Sequence, residues 1–156
     1  MIKLGIDQSY TSTGWVVNND GDITNFGLIK TTGDDTFKRA ATVADHIVAL
    51  CVTHNVEQVG IEGLAFGSVG NATRSLAGLL FVVVTTLQRE CPEIKVDVVP
   101  PTTLKKFATQ KGKASKLEMV AALPPEVKQR ITAAGYKKTT GMYDITDAYF
   151  LSMYPM

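Results

Sequence analysis

The sequence predicts a single α/β domain, residues 1–156, built around a mixed β-sheet. Three strand-like segments separated by turn residues occupy the first 30 positions, a pattern typical of an antiparallel meander. Helical periodicity and short apolar segments then alternate, which favours parallel strands joined by helices. The chain has 156 residues, of which 45% are hydrophobic and 20% charged, and this suits one domain with a substantial core.

The N-terminal meander is predicted from alternation and turn residues. Residues 2–7 (IKLGID) alternate apolar side chains along one side of a strand, and residues 13–17 (TGWVV) form a second strand. A third strand follows over about 22–30. The Asn-Asn-Asp-Gly sequence at 18–21 predicts a hairpin, because these residues tolerate the positive φ of tight turns. The first strand therefore presents Asp7 at its end.

Two helices and two strands are predicted next. Helical spacing over 35–54 and 71–90 predicts the helices. The apolar segments 57–62 (EQVGIE) and 94–99 (IKVDVV) each follow a helix, so we expect crossover connections and parallel pairing. On the first helix, the side chains expected to face inward are Phe37, Ala41, Ala44, Ile47, Val48 and Cys51.

Helices bounded by proline and glycine are predicted for the rest of the chain. The Pro-Pro pair at 100–101 ends the last strand and begins a helix, since proline suits a first turn. Gly112 separates this helix from one over about 114–122, and the Pro-Pro pair at 124–125 begins another. The final helix is predicted over about 143–153.

Cysteine usage and hydropathy predict a cytoplasmic protein without a membrane partner. Cys51 and Cys91 lack the dense spacing of a disulfide framework. The N-terminus reaches Asp7 before a long apolar core develops, unlike a signal peptide. The longest apolar stretch, residues 76–87, is shorter than the about 20 residues that span a bilayer, and it predicts a buried helix.

Four acidic residues carry the main functional signal. Asp7 and Glu62 each end an apolar strand, and Asp144 and Asp147 lie three apart at the start of the final helix, on one face. Carboxylate oxygens held on a rigid scaffold are hard ligands that suit Mg²⁺ or Mn²⁺. Two such ions would support in-line attack of water on a phosphodiester. We therefore expect these four residues to be catalytic and metal-binding, with cleavage weak in acid and inhibited by chelators.

Each acid also has a structural alternative. Asp7 could accept hydrogen bonds from the turn that follows it, and the helix macrodipole could stabilise Asp144 and Asp147. Glu62 could be held by an ion pair, since burial of a lone carboxylate is costly. The functional interpretation therefore depends on the four acids together.

A basic block precedes the final helix. Residues 105–138 carry nine Lys or Arg and two Glu, whereas the whole chain has a net charge of +1. A basic surface beside an acidic metal site suits a nuclease, because it binds phosphates; a solvated, lysine-rich helical face is the alternative. The loose glycine-rich segment 63–71 could bring Phe66, with Arg74 nearby, to an unpaired base, or Phe66 could be a core residue.

Four segments of the chain resemble a known family. In order and spacing, LGIDQSYTSTGWVV, VGIEGLAFG, VVPPTTLKKFATQKGKASKLEMVAAL and YDITDAYFLSMY are similar to the RuvC family of Holliday junction resolvases. The resemblance covers essentially the whole chain. It implies an RNase H-like fold with a mixed five-stranded sheet, and a homodimer that nicks opposing strands of a four-way DNA junction with Mg²⁺ or Mn²⁺.

The resemblance also assigns roles to residues. Lys105 and Lys113 match basic positions that contact DNA, and Lys106 and Lys116 could assist them. The helix over 71–90 matches the family's dimer helix, although a buried monomer helix would show the same apolar circumference. The family's metal-binding acids match at Asp7, Glu62, Asp144 and Asp147.

Two departures from the family pattern widen the expected substrate range. Gly63 follows Glu62 where many members carry glutamine, and Gln8 follows Asp7 in place of a frequent proline. Together with the compact length, they suggest a phage-encoded version that acts on branched DNA generally, including forks and Y-junctions. The alternatives are a branched-DNA-binding protein with little or no cleavage, and the actin-like ATPase and sugar-kinase class, which needs two such lobes.

Overall fold

A five-stranded mixed sheet forms the centre of the computed structural model, which describes residues 1–65, 67 and 69–155. The strand order is β3-β2-β1-β4-β5. The first three strands pair antiparallel, whereas β4 and β5 add in parallel beyond β1, as expected for strands that follow helical crossovers. The strands are β1 (Ile2–Asp7), β2 (Ser12–Asn19), β3 (Asp22–Lys30), β4 (Gln58–Glu62) and β5 (Lys95–Val99).

Helices cover both faces of the sheet. Asp35 caps the first helix by accepting a hydrogen bond from the Lys38 backbone nitrogen at 3.1 Å. A reciprocal capping box between Ser115 and Glu118 begins the fourth. The helices are α1 (Thr36–Thr53), α2 (Asn71–Glu90), α3 (Pro101–Thr109), α4 (Lys116–Ala121), α5 (Pro125–Ala133) and α6 (Tyr143–Met153).

Two apolar cores lie on opposite faces of this sheet. On one face, β1 and β4 pack against α1 and α2 through side chains that include Leu4, Ile61 and Leu79. On the other face, α3–α6 pack together around residues such as Leu104 and Ile145. The predicted α/β class with a mixed five-stranded sheet is confirmed, and both faces of the strands that carry Asp7 and Glu62 are supported.

The inward face predicted for α1 was partly wrong. Phe37 is 89% exposed and Ala41 is also exposed, whereas Ala40 and Val43 are buried. Because α1 begins at Thr36, Phe37 lies in the first turn, before the helix reaches the residues that it packs against. The buried stripe therefore starts at Ala40 and adds Val43, whereas Ala44, Ile47 and Cys51 are buried as predicted.

The second helix is buried along one side only. Leu79, Val83 and Leu87 are buried, whereas Phe81 is 70% exposed. Phe81 lines a shallow apolar groove together with Val98 on the edge strand β5. Within the described part of the chain, no helix combines the length and apolarity needed to cross a membrane.

Candidate metal centre

The ends of two neighbouring strands bring acidic side chains together. Asp7 is the last residue of β1 and Glu62 is the last residue of β4, and these strands pair in parallel with Ile6 beside Ile61. Asp147, in the second turn of α6, reaches the same point from the helix that crosses β1 and β2. One carboxylate oxygen from each of Asp7, Glu62 and Asp147 lies within 4.8 Å of the others. The sequence-predicted acids from three distant segments therefore converge.

Close packing of α6 on the sheet makes this convergence possible. A Cβ on Gly5 of β1 would overlap the Ala148 carbonyl oxygen and lie 2.6 Å from the Ser152 backbone nitrogen. A Cβ on Gly14 of β2 would lie 2.5 Å from the Asp144 carbonyl carbon. Glycine inside a strand often marks such an approach of another backbone. The two glycines are visible in the sequence, but their spacing does not indicate which element lies above them.

Burial raises the pKa values of the three converging acids, and repulsion from neighbouring acids raises those of Asp7 and Asp147 further. The pKa of Asp7 is raised well above 3.8, first by burial and then by the charges of Asp147, Glu62 and Asp144. Burial raises the pKa of Glu62, and Lys105 opposes that shift. Burial, Glu62 and Asp144 raise the pKa of Asp147 to about 7, against Lys105 and Lys116. Binding of a proton or a cation would therefore reduce the electrostatic repulsion within this cluster.

Asp144 lies beside this cluster without belonging to the group of three. Burial raises its pKa, whereas hydrogen bonding with Ser12 and Asp7 and the charge of Lys116 lower it. Burial and the charges of the neighbouring acids, together with hydrogen bonding to Asp144, all raise the pKa of Asp7. Asp144 also occupies the first turn of α6, where the macrodipole favours an acid. Both interpretations made from the sequence are therefore compatible with its position.

The donor set fits a divalent metal ion. The three clustered carboxylates supply hard oxygen atoms, and no basic side chain in the described ranges lies within 4.0 Å of them. Three desolvated carboxylates without a close counter-charge are costly, and a divalent cation would offset their repulsion. Asp7, Glu62 and Asp147 could hold such an ion, with Asp144 adjacent.

Gln8 supports the centre from within the core. It is 7% exposed, and its Nε2 donates to the Glu62 carbonyl oxygen at 3.2 Å. This hydrogen bond links the chain just after β1 to the end of β4. Its Oε1 is buried without a hydrogen-bond partner among the described residues. A glutamine after a strand is not distinctive, so the sequence alone does not assign it this place.

The predicted DNA-binding residues occupy different positions relative to the acids. Lys105 on α3 and Lys116 on α4 lie close enough to influence the pKa of Asp147. The other predicted DNA-binding residues are not among the charges that shift the pKa values of Glu62 and Asp147. Lys106 and Lys113 are exposed on and after α3, Arg74 is exposed in the first turn of α2, and Phe66 lies outside the described residues.

Two other basic residues of the block have structural partners. Lys111 forms an ion pair with Glu118 at 3.0 Å. Arg130 donates to the Ile23 carbonyl oxygen at 2.6 Å and lies over the Phe26 ring. Positive charge in this segment is therefore divided between structural contacts and free side chains, a division that composition alone does not reveal.

The fold is similar to solved structures of junction resolvases. Thermus thermophilus RuvC matches with a TM-score of 0.71 and 17% identity, covering 98% of this chain and 92% of that one. The same RuvC in complex with a Holliday junction substrate matches with a TM-score of 0.75 and 18% identity, covering 98% and 91%. The yeast mitochondrial Holliday junction resolvase Ydc2 matches with a TM-score of 0.68 and 15% identity, covering 96% and 75%.

These likenesses concern three-dimensional structure. Neither a protein-family model nor a curated protein sequence matches the chain. At 15–18% identity, the comparisons establish that the chain has the fold of RuvC, as its sequence predicted.

Proposed function

We propose that this protein is a metal-dependent endonuclease that nicks Holliday junctions and other branched DNA. The convergence of Asp7, Glu62 and Asp147 within 4.8 Å, on a RuvC-like fold, carries the proposal. Four-way junctions are the leading substrate, because one of the similar structures contains a Holliday junction. Forks and Y-junctions are further candidates.

The acids would form the reaction centre. Asp7, where β1 and β4 meet α6, would hold the metal together with Glu62 and Asp147, and Asp144 would complete the ligand set. A pair of Mg²⁺ or Mn²⁺ ions held there would supply an acidified water and would stabilise charge on phosphate oxygens. The three carboxylates closest together would also orient the scissile phosphate by fixing where positive charge lies. Their rigid strand and helix supports favour a single geometry.

Basic side chains near the acids would hold the DNA backbone. Lys105 and Lys116 lie within electrostatic range of Asp147, so a phosphate approaching the acids would also meet their positive charge. Lys106 and Lys113 extend this basic surface through exposed positions. None of these four lysines forms an ion pair within the described ranges, which leaves their charges available for phosphates. Arg74 and Phe66 remain proposed contacts to DNA.

We also propose a homodimer formed through α2. Phe81 is 70% exposed and Val98 is 46% exposed, and both line one apolar groove beside the edge strand β5. An exposed apolar surface of this kind favours contact with another protein surface. A second copy suits a four-way junction, because two-fold symmetry would present two acid centres to opposing strands.

A cleavage assay tests the proposed function. Purified protein is mixed with a labelled four-way junction, a duplex of the same sequence and a single strand, each with Mg²⁺, Mn²⁺ or EDTA. We expect symmetric nicks in the junction that depend on the metal. Junction binding without nicks at any metal concentration would contradict the enzyme and favour a binding protein.

A further inference from the structure

Gly14 lies directly between two acids of the centre. It is buried in β2 and pairs with Asp7 across β1. A Cβ at this position would overlap the Asp144 carbonyl oxygen, and it would lie 2.5 Å from the Asp144 carbonyl carbon and 2.9 Å from the Asp144 Cβ. A side chain at position 14 would therefore displace the first turn of α6.

Ser12 approaches the same aspartate from the same face of β2. Residues 12 and 14 point to one side of the strand because side chains alternate. The Ser12 side chain lies within hydrogen-bonding reach of the Asp144 carboxylate. The turn before it is fixed, since the Ser12 backbone nitrogen donates to Ser9 Oγ at 2.9 Å and Ser9 Oγ donates to the Ser12 carbonyl oxygen at 2.7 Å. Ser12 therefore lies on the side of β2 that faces α6, in a turn held by hydrogen bonds, where its hydroxyl can lower the pKa of Asp144.

Other close-packed strand glycines differ from Gly14 in what they touch. A Cβ on Gly5 would meet the backbone of Ala148 and Ser152, later in α6. A Cβ on Gly27 of β3 would meet the Trp15 side chain at 2.8 Å. Of these three glycines, Gly14 is the one that faces an acid of the centre.

We propose that Ser12 and Gly14 are positioning residues that place Asp144 against Asp7 and so set the divalent-cation affinity of the centre. The inference rests on the proposed function, because it assumes that the acids bind metal. Asp144 lies outside the group of three acids whose oxygens fall within 4.8 Å. The distance between β2 and α6 therefore decides whether it contributes a fourth carboxylate. Gly14 sets that distance, and Ser12 orients the carboxylate.

Calorimetric titration with Mn²⁺, without DNA, tests this inference. Gly14→Ala is compared with the wild type and with Gly27→Ala, a matched glycine remote from the acids. We expect Gly14→Ala to weaken Mn²⁺ binding about tenfold or more, as loss of supporting contacts does in metal sites, while Gly27→Ala stays within about twofold. In an Asp144→Asn background, Gly14→Ala should have no further effect, because it acts through Asp144.

The outcomes separate positioning from general loss of structure. The inference is overturned if Gly14→Ala folds and binds Mn²⁺ with wild-type affinity. It is also overturned if Gly14→Ala loses as much Mn²⁺ affinity in the Asp144→Asn background as in the wild-type background. If Gly14→Ala does not fold, Ser12→Ala decides in the same two backgrounds, since it removes a hydroxyl without adding volume. The inference is supported if Ser12→Ala weakens Mn²⁺ binding in the wild-type background but not in the Asp144→Asn background. It is overturned if Ser12→Ala leaves Mn²⁺ affinity unchanged. A wild-type protein that takes up no Mn²⁺ would overturn the proposed function as well.

Discussion

Asp7 has the highest density of negative neighbours among the acids of the centre. The charges of Asp147, Glu62 and Asp144 all raise its pKa in addition to burial. A residue in that position has two opposite effects: it strengthens binding of a cation and it costs free energy when no cation is present. The consequences of changing the acids should therefore differ between metal-bound and metal-free protein.

Asp7→Asn should remove cleavage but keep binding. The amide preserves the size of the side chain and removes the charge that would hold the metal, so we expect junction cleavage to fall by about two to three orders of magnitude, as for loss of other transition-state stabilisers. Junction affinity should be unchanged or stronger, because one negative charge near the phosphates is lost. Gel-shift and cleavage assays on the same junction measure both. Full activity would remove Asp7 from the mechanism.

Asp147→Asn should stabilise the metal-free protein at neutral and alkaline pH. The pKa of Asp147 is about 7 when folded and starts from 3.8, so the folded state keeps its proton to higher pH than the unfolded state. Protonation of Asp147 therefore contributes fully to the free energy of unfolding below about pH 4, and this contribution is lost as the pH rises through about 7. We expect the variant to gain on the order of 3 kcal/mol over the wild type at pH 8 in EDTA, and little at pH 4.

Urea denaturation at the two pH values measures this difference. Asp45→Asn, an exposed aspartate on α1, is the control and should change little. Mg²⁺ should raise the stability of the wild type more than that of Asp147→Asn. A variant less stable than the wild type at pH 8 in EDTA would contradict the assigned repulsion.

The sequence predicted the acids of the centre better than their supports. Asp7 and Glu62 could be found because a carboxylate at the end of an apolar strand is unusual, and their meeting in space is confirmed. Gly14 and Gln8 could not be assigned a place, since their roles depend on which backbone passes beside them. Such contacts are made between distant segments and leave no local periodicity.

At the scale of elements, the close packing of α6 against β1 and β2 brings the acids together. Gly5 and Gly14 let the helix approach β1 and β2 closely enough for Asp147 to reach Asp7. Among the described residues, the sequence predicted the five strands and the six α-helices to within a few residues, because their apolar periods and their proline and glycine boundaries are local signals. It misplaced Phe37 because the position of a helix end over the core is not a local signal.

Gly5→Ala should destabilise the fold strongly. The added methyl would overlap the Ala148 carbonyl oxygen in α6, so we expect a loss of about 2–3 kcal/mol, typical of overpacking that moves backbone. Urea denaturation of the metal-free protein gives the free energy of unfolding. Gly112→Ala is the control, because its Cβ would meet nothing closer than the Thr102 carbonyl oxygen at 3.9 Å. Equal free energies of unfolding for the two variants would contradict the close packing of α6 against β1.

At the scale of the whole molecule, charge is divided between an acidic centre and a basic surface. We expect Lys105→Ala and Lys113→Ala each to weaken junction binding and to reduce the slope of log affinity against log salt by about one. Lys111→Ala is the matched control, because Glu118 already neutralises that side chain at 3.0 Å. Fluorescence anisotropy at several salt concentrations measures the slope. An unchanged slope for Lys105→Ala would exclude its phosphate contact.

The proposed dimer makes a separate prediction. Phe81→Glu places a charge in the apolar groove on α2, and we expect it to convert a dimer into a monomer in sedimentation velocity experiments. Phe37→Glu is the control, since Phe37 is 89% exposed on α1, away from that groove. A wild-type protein that sediments as a monomer at micromolar concentration would contradict the dimer.

Helix α6 also has a consequence for biosynthesis. It carries Asp144 and Asp147, and the ribosome makes it after all five strands have been synthesised. A nascent chain that has already built its sheet therefore lacks half of the acids until residues 143–153 emerge from the exit tunnel and dock. If the proposed function holds, the complete metal centre therefore forms only after α6 has docked on the sheet.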